Sequence, residues 1–309
     1  MLSRTSFRAD SPNRNLEAAA LMVVATACFV GMSSTVKVLA AEFDTAQIVW
    51  GRYATHFLLV LALLAASGRL AEVRTTARPG VQLARSLLIF AATVLTFIPL
   101  RYLQLAEVAS IMFLTPMIVT GLAALVLGER VGPRRWAAVG VGLLGALVIV
   151  RPGLGAFHWA ASVAVLAAFA YACYQILTRV VGDKAPPVVS LFYASFVGTA
   201  VSSAVVPFDW VAPDLAGWAR LALAGLFAAG GHLAMTAALV RAQASFVTAF
   251  SYLQLLWATL VGFALFGDLP DGWTFAGALL IAGSGLYVLH RERLRRTTAE
   301  CPPATRIEP

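Results

Sequence analysis

Arg52 and His56 stand four residues apart in one apolar run, IVWGRYATHFLLV, and so share one face of a helix. A guanidinium presents a planar fork of N–H donors that matches a carboxylate or phosphate, and an imidazole changes charge near neutral pH. Three other apolar runs carry groups that recognise solutes: His232 with Thr236 one turn on, then Tyr171, Tyr174, Gln175 and Thr178, then Ser251, Gln254 and Trp257. These side chains donate, accept, stack and carry charge. Catalysis would need more. Paired carboxylates, a His-Glu metal motif and a nucleophile beside a base are all missing from the apolar runs, so the expectation is a binding site with no enzyme activity, no cofactor and no metal. Cys28, Cys173 and Cys301 lack the paired spacing of a zinc site or disulfide framework.

Arg52, His56, Tyr171, Gln175, His232, Ser251, Gln254 and Trp257 are accordingly the candidate substrate-binding residues, with Pro116 as a candidate helix kink or gate. Each has a plainer alternative. Arg52 lies about seven residues into its helix, close enough to snorkel outward to Glu42 or Asp44 instead of turning inward to a substrate. His232 could sit neutral, donating to a backbone carbonyl. Tyrosines near span ends also serve as interfacial anchors, and Trp257 suits packing as well as stacking.

The elements that must hold these groups are membrane helices. A chain that is 60% hydrophobic and only 12% charged has too little polar residue to cover a soluble surface. Its apolar runs are about 20 residues long, which at about 1.5 Å per residue spans a bilayer. About ten such runs occur between Leu16 and Leu289, predicting an all-α polytopic membrane protein in a lipid bilayer. The net charge of +8 comes largely from arginines in short turns, with no accompanying nucleic-acid motif, so no nucleic acid is expected as partner.

The chain also repeats itself. AEVASIMFLTPMIVTGLAALVLGER is echoed by AQASFVTAFSYLQLLWATLVGFALFGD, which sets Gly267-Asp268 139 residues after Gly128-Glu129. The expected organisation is a tail over 1–15, a first five-helix repeat over 16–152, a second over 153–290 and a tail over 291–309. Arginines cluster on one side of the predicted spans: Arg4, Arg8 and Arg14, then Arg69, Arg74, Arg78 and Arg85, then Arg130, Arg134 and Arg135, then Arg179, Arg241 and the Arg291 to Arg296 group. Under the positive-inside rule that side is cytoplasmic, as are both termini. An odd number of spans per repeat then inserts the second repeat upside down, an arrangement used by secondary transporters.

Two motifs read better as packing than as chemistry. Gly140-Val-Gly142-Leu-Leu-Gly145 fits GxGxxG, yet it lies inside a membrane span, where small residues let helices approach. Gly128-Glu129 and Gly267-Asp268 fall at span ends and suit helix termination.

With these residues in view, the chain resembles drug/metabolite transporters of the EamA type. The likeness rests on the paired repeats, on Ala109 and Pro116 leading to Leu127-Gly128-Glu129, on Trp136 with Gly140 and Gly145, and on Phe250 to Gln254 leading to Phe266-Gly267-Asp268. Arg52 matches an arginine frequent at that place in the family's second helix. The family usually has Glu where this chain has Asp268. The resemblance implies transport of a small organic solute across a bacterial inner membrane. A positively charged Arg52 within a span, with no carboxylate beside it there, suits an anionic or zwitterionic substrate such as an amino acid, a vitamin or a nucleotide-like metabolite. The alternatives are a membrane-embedded enzyme and a non-transporting scaffold.

Overall fold

A computed structural model describes residues 12–74, 79–126, 128, 132–150, 158–181, 187–241, 247 and 250–300. Every regular element among them is helical: α1 Pro12–Leu39, α2 Thr45–Ala66, the short α3 Ala71–Arg74, α4 Pro79–Leu100, α5 Leu105–Met112, α6 Thr115–Val126, α7 Pro133–Val150, α8 Trp159–Val181, α9 Pro187–Val205, α10 Leu215–Arg241, α11 Leu253–Phe266 and α12 Gly272–Glu300. Seven segments are long and apolar enough to cross a membrane, α5 and α6 together counting as one, and Trp136–Val150 and Phe250–Phe266 are shorter apolar helices. With the apolar first half of α12, this is a polytopic membrane protein of about ten spans.

Helix is the form that satisfies backbone groups within one segment, which the bilayer requires. Intramembrane hydroxyls obey the same rule by folding back on their own helices: Ser34 Oγ donates to the Val30 carbonyl at 2.8 Å, Ser202 Oγ to Gly198 at 2.6 Å and Thr96 Oγ1 to Ala92 at 2.7 Å. Large apolar side chains such as Leu58, Leu147 and Leu279 face outward, as lipid-facing residues do, while small ones line helix contacts. Ala160, Ala164, Ala168 and Ala172, all fully buried, form a stripe with a four-residue period on α8, a helix that packs along α4. Within the glycine motif of α7, Gly145 behaves likewise, since a Cβ there would sit 2.8 Å from the Gly277 carbonyl of α12, while Gly140 faces open space.

One predicted span is divided. Pro116 has no N–H for the Met112 carbonyl and its ring crowds that position, so α5 ends at Met112. The chain then tightens, Leu114 N–H donating to Ile111 O at 3.0 Å, and α6 restarts at Thr115 with Pro116 in its first turn. At the matching place in the second half, a tight 3₁₀ turn, Phe250–Tyr252, leads into α11. Phe113 and Tyr252, separated by the same 139 residues as the two Gly-acid pairs, stack with ring centroids 4.8 Å apart, so the two breaks meet. Gly128 and Gly267 both take the left-handed conformation, φ 65° and 68°, which an L side chain adopts only with strain. Gly267 closes α11 with its N–H on Phe263 O at 3.0 Å while Asp268 N–H reaches Gly262 O at 3.1 Å, so the termination role expected there holds.

Contacts sort the loops into two ends. Arg220 pairs with Glu42 at 2.6 Å, Arg101 donates to the Ala40 and Phe43 carbonyls, Gln104 donates to Leu269 O, and Lys37 pairs with Asp268. At the other end Arg241 meets Glu17 at 3.3 Å and Tyr193 Oη donates to Val73 O. One sequence reading needs correction. Arg85, counted among the loop charges, lies inside α4 and is only 4% exposed, because the helix already starts at Pro79. The last helix also runs past the apolar segment to Glu300, since Arg, Leu and Glu in Arg291 to Glu300 are good helix formers. Glu129 and Arg130 lie outside the described residues.

Candidate substrate-binding site

The Arg52 guanidinium turns inward. Its two outward partners are engaged elsewhere, Glu42 by Arg220 and Asp44 as the N-cap of α2, where its Oδ1 accepts from Ala46 N–H at 2.9 Å. Arg52 is 4% exposed; its Nε reaches the Met32 sulfur of α1 at 3.3 Å, and its charge lies 4.4 Å from the Tyr53 ring centre and 5.8 Å from that of Phe97 on α4. Sulfur is a weak acceptor and ring faces give a cation partial compensation. Nη1 has no hydrogen-bond partner in this environment. No carboxylate among the described residues pairs with Arg52.

One turn along α2, His56 lies parallel to His232 of α10, centroids 5.8 Å apart and planes 14° from coplanar. Phe29 of α1 meets His232 edge-on at 5.2 Å. Both ring nitrogens of His56 are buried without a partner. Two helices distant in sequence, α2 and α10, thus place one fixed cation and two imidazoles together against α1, with donors still unused. Such a group can hold an electron-rich or anionic moiety. Among the described residues no carboxylate pairs with it, and no cluster of three or more His, Cys, Asp or Glu could hold a metal.

The remaining candidates lie on α8, the second break and α11. Tyr171 and Tyr174 stack on each other at 5.7 Å on α8, half-buried, with Gln175 beside them. Ser251, Gln254 and Trp257 lie half-buried along the second break and α11. α1 packs against both α10 and α11. Trp257 also packs against the main apolar core, while its Nε1 is buried with no acceptor. Gln82 and Arg85 are buried on α4, where Arg85 had counted as a loop charge and Gln82 had not been singled out; their three-residue spacing on one face was the available signal.

The model for the EamA-like transporter family matches residues 16–151 and again 158–289. The chain belongs to the EamA-like transporter family. This EamA-like protein is 28% identical to a riboflavin transporter of Rhizobium johnstonii over 95% of its own length and 97% of the relative's. It is also 24% identical to an S-adenosylmethionine uptake transporter of Rickettsia bellii, covering 83% and 88% of the two chains, and 28% identical to a pseudopaline exporter of Pseudomonas aeruginosa, covering 84% and 92%. A protein crystal structure with 18% sequence identity superposes with a TM-score of 0.63 over 89% of this chain and 98% of its own, which shows the shared fold. These relatives place the EamA-like protein among the drug/metabolite transporters.

Proposed function

We propose that the EamA-like protein is a secondary transporter that moves a small anionic or zwitterionic metabolite across a bacterial inner membrane by alternating access. The observation that carries this reading is the Arg52 guanidinium, buried in a membrane helix beside two imidazoles, with an N–H donor that no protein group accepts. A charge held in the hydrocarbon region costs at least about 2.5 kcal/mol even on permissive scales, so an unpaired one is kept for a ligand or a water-filled path. The two repeats, 16–152 and 153–290, are taken as inverted, both termini as cytoplasmic, and the helix breaks at Phe113 and Tyr252 as the hinge near the repeat interface. Arg52, His56 and His232 then contact the substrate's electron-rich end, while Tyr171, Gln175, Ser251, Gln254 and Trp257 line the path and Pro116 sets the break.

The relatives named for riboflavin, S-adenosylmethionine and pseudopaline support a solute of this size, and those names include both uptake and export. An enzyme reading lacks a convergent catalytic set among the described residues. Purified protein in liposomes should accumulate or exchange at least one member of a panel of vitamins, amino acids, S-adenosylmethionine and nucleotides. A covalent product appearing while no solute moves would replace this reading with the enzyme alternative.

A further inference from the structure

Gln82 and Arg85 share one face of α4 and are 1% and 4% exposed, yet both side-chain atoms of the Gln82 amide and both Nε and Nη2 of Arg85 lack hydrogen-bond partners. The Arg85 charge lies 5.8 Å from the Tyr174 ring centre on α8, and Tyr174 stacks on Tyr171. This is not the Arg52 site. The Arg52 charge sits at Phe97, twelve residues beyond Arg85 on α4, which is about 18 Å along the helix. Since α2 and α4 are successive antiparallel spans, each arginine lies near the start of its own helix and hence toward opposite ends of the bundle.

We propose that Gln82, Arg85, Tyr171 and Tyr174 form a second binding site, which takes the anionic group of a ring-bearing solute. The Arg85 fork and the Gln82 amide N–H meet a carboxylate or phosphate, and the tyrosine pair meets an attached planar ring. Tyr174 covers one face of the guanidinium and leaves its edge donors free for the anion. The proposal rests on the transporter reading, as a second stop on the same path, but it concerns binding alone.

Thermal unfolding of the full chain in uncharged detergent tests it, with phenyl phosphate and benzoate as probes and benzyl alcohol as neutral control. Both anions raise the Tm of the parent and of Arg69→Gln, an exposed loop arginine that pairs with Glu72, and benzyl alcohol does not. Arg85→Gln raises the half-maximal concentration about tenfold or more, and Tyr174→Ala raises it about threefold. If Arg85→Gln does not yield monodisperse protein, Gln82→Leu keeps the charge, loses the amide and weakens both anions by about threefold or more. No shift in the parent, equal affinity in these variants, or stabilisation by short-chain phosphatidic acid but by neither fragment overturns the proposal. Because the readout needs no transport, failure here leaves liposome transport intact, and failed transport leaves this binding intact.

Discussion

Glu42 and Asp44, the carboxylates that an outward-turned Arg52 would seek, are both engaged by other groups. That arrangement separates the two roles an arginine can play seven residues into a span. A snorkelling anchor tolerates lysine, which has the same charge on a similar stem; a fork that grips a carboxylate or phosphate does not. With Nε turned to the Met32 sulfur and Nη1 unused, Arg52→Lys is expected to weaken apparent substrate affinity in transport about tenfold or more, and Arg52→Ala at least as much, at matched membrane abundance. Near-normal affinity in the lysine variant would sink the recognition role, and near-normal affinity in the alanine variant would remove Arg52 from the site.

Helix pairs in this protein are held by closeness instead of bulk. A Cβ on Gly145 would lie 2.8 Å from Gly277 O, and one on Gly277 would lie 2.6 Å from Gly145 O, so α7 and α12 touch backbone to backbone. Gly145→Val must push them apart, at a cost of about 1–3 kcal/mol for overpacking. The measurement is the unfolding midpoint in detergent, which should fall; an unchanged midpoint would mean that this contact contributes little. Pro116 works on one element in a different way, by removing the donor that α5 would need to run on into α6.

Across the whole molecule, Lys37 of the first half bonds to Asp268 of the second and also donates to Leu103 O, while Gln104 donates to Leu269 O at 3.2 Å. Alternating access requires the halves to part at this end during each cycle. Cysteines at Lys37 and Asp268, in a background lacking Cys28, Cys173 and Cys301, should cross-link on oxidation, stop transport, and restore it on reduction. Full transport by the cross-linked protein would exclude movement between the halves here. Orientation has its own measurement: single cysteines at Gly132 and Gly272 in intact cells should leave Gly132 protected from an impermeant maleimide and Gly272 labelled. The reverse pattern would turn the protein over.

The membrane class, the span count and the doubled Gly-acid ends were legible in the sequence, because burial in lipid demands long apolar runs and helix termination demands a residue that tolerates φ near 68°. Arg52 and His56 were legible for the same reason, a charge and an imidazole standing where the bilayer penalises them. What only the tertiary structure decided is how side chains from separate helices meet. His56 stacks on His232 across 176 residues, Phe113 on Tyr252, and Glu42 is claimed by Arg220, which leaves Arg52 to turn inward. Arg85 moved from loop to interior because α4 begins at Pro79 and packs along α8. Periodicity reports which face of a helix is apolar; partner choice between faces depends on the packing of all the helices at once.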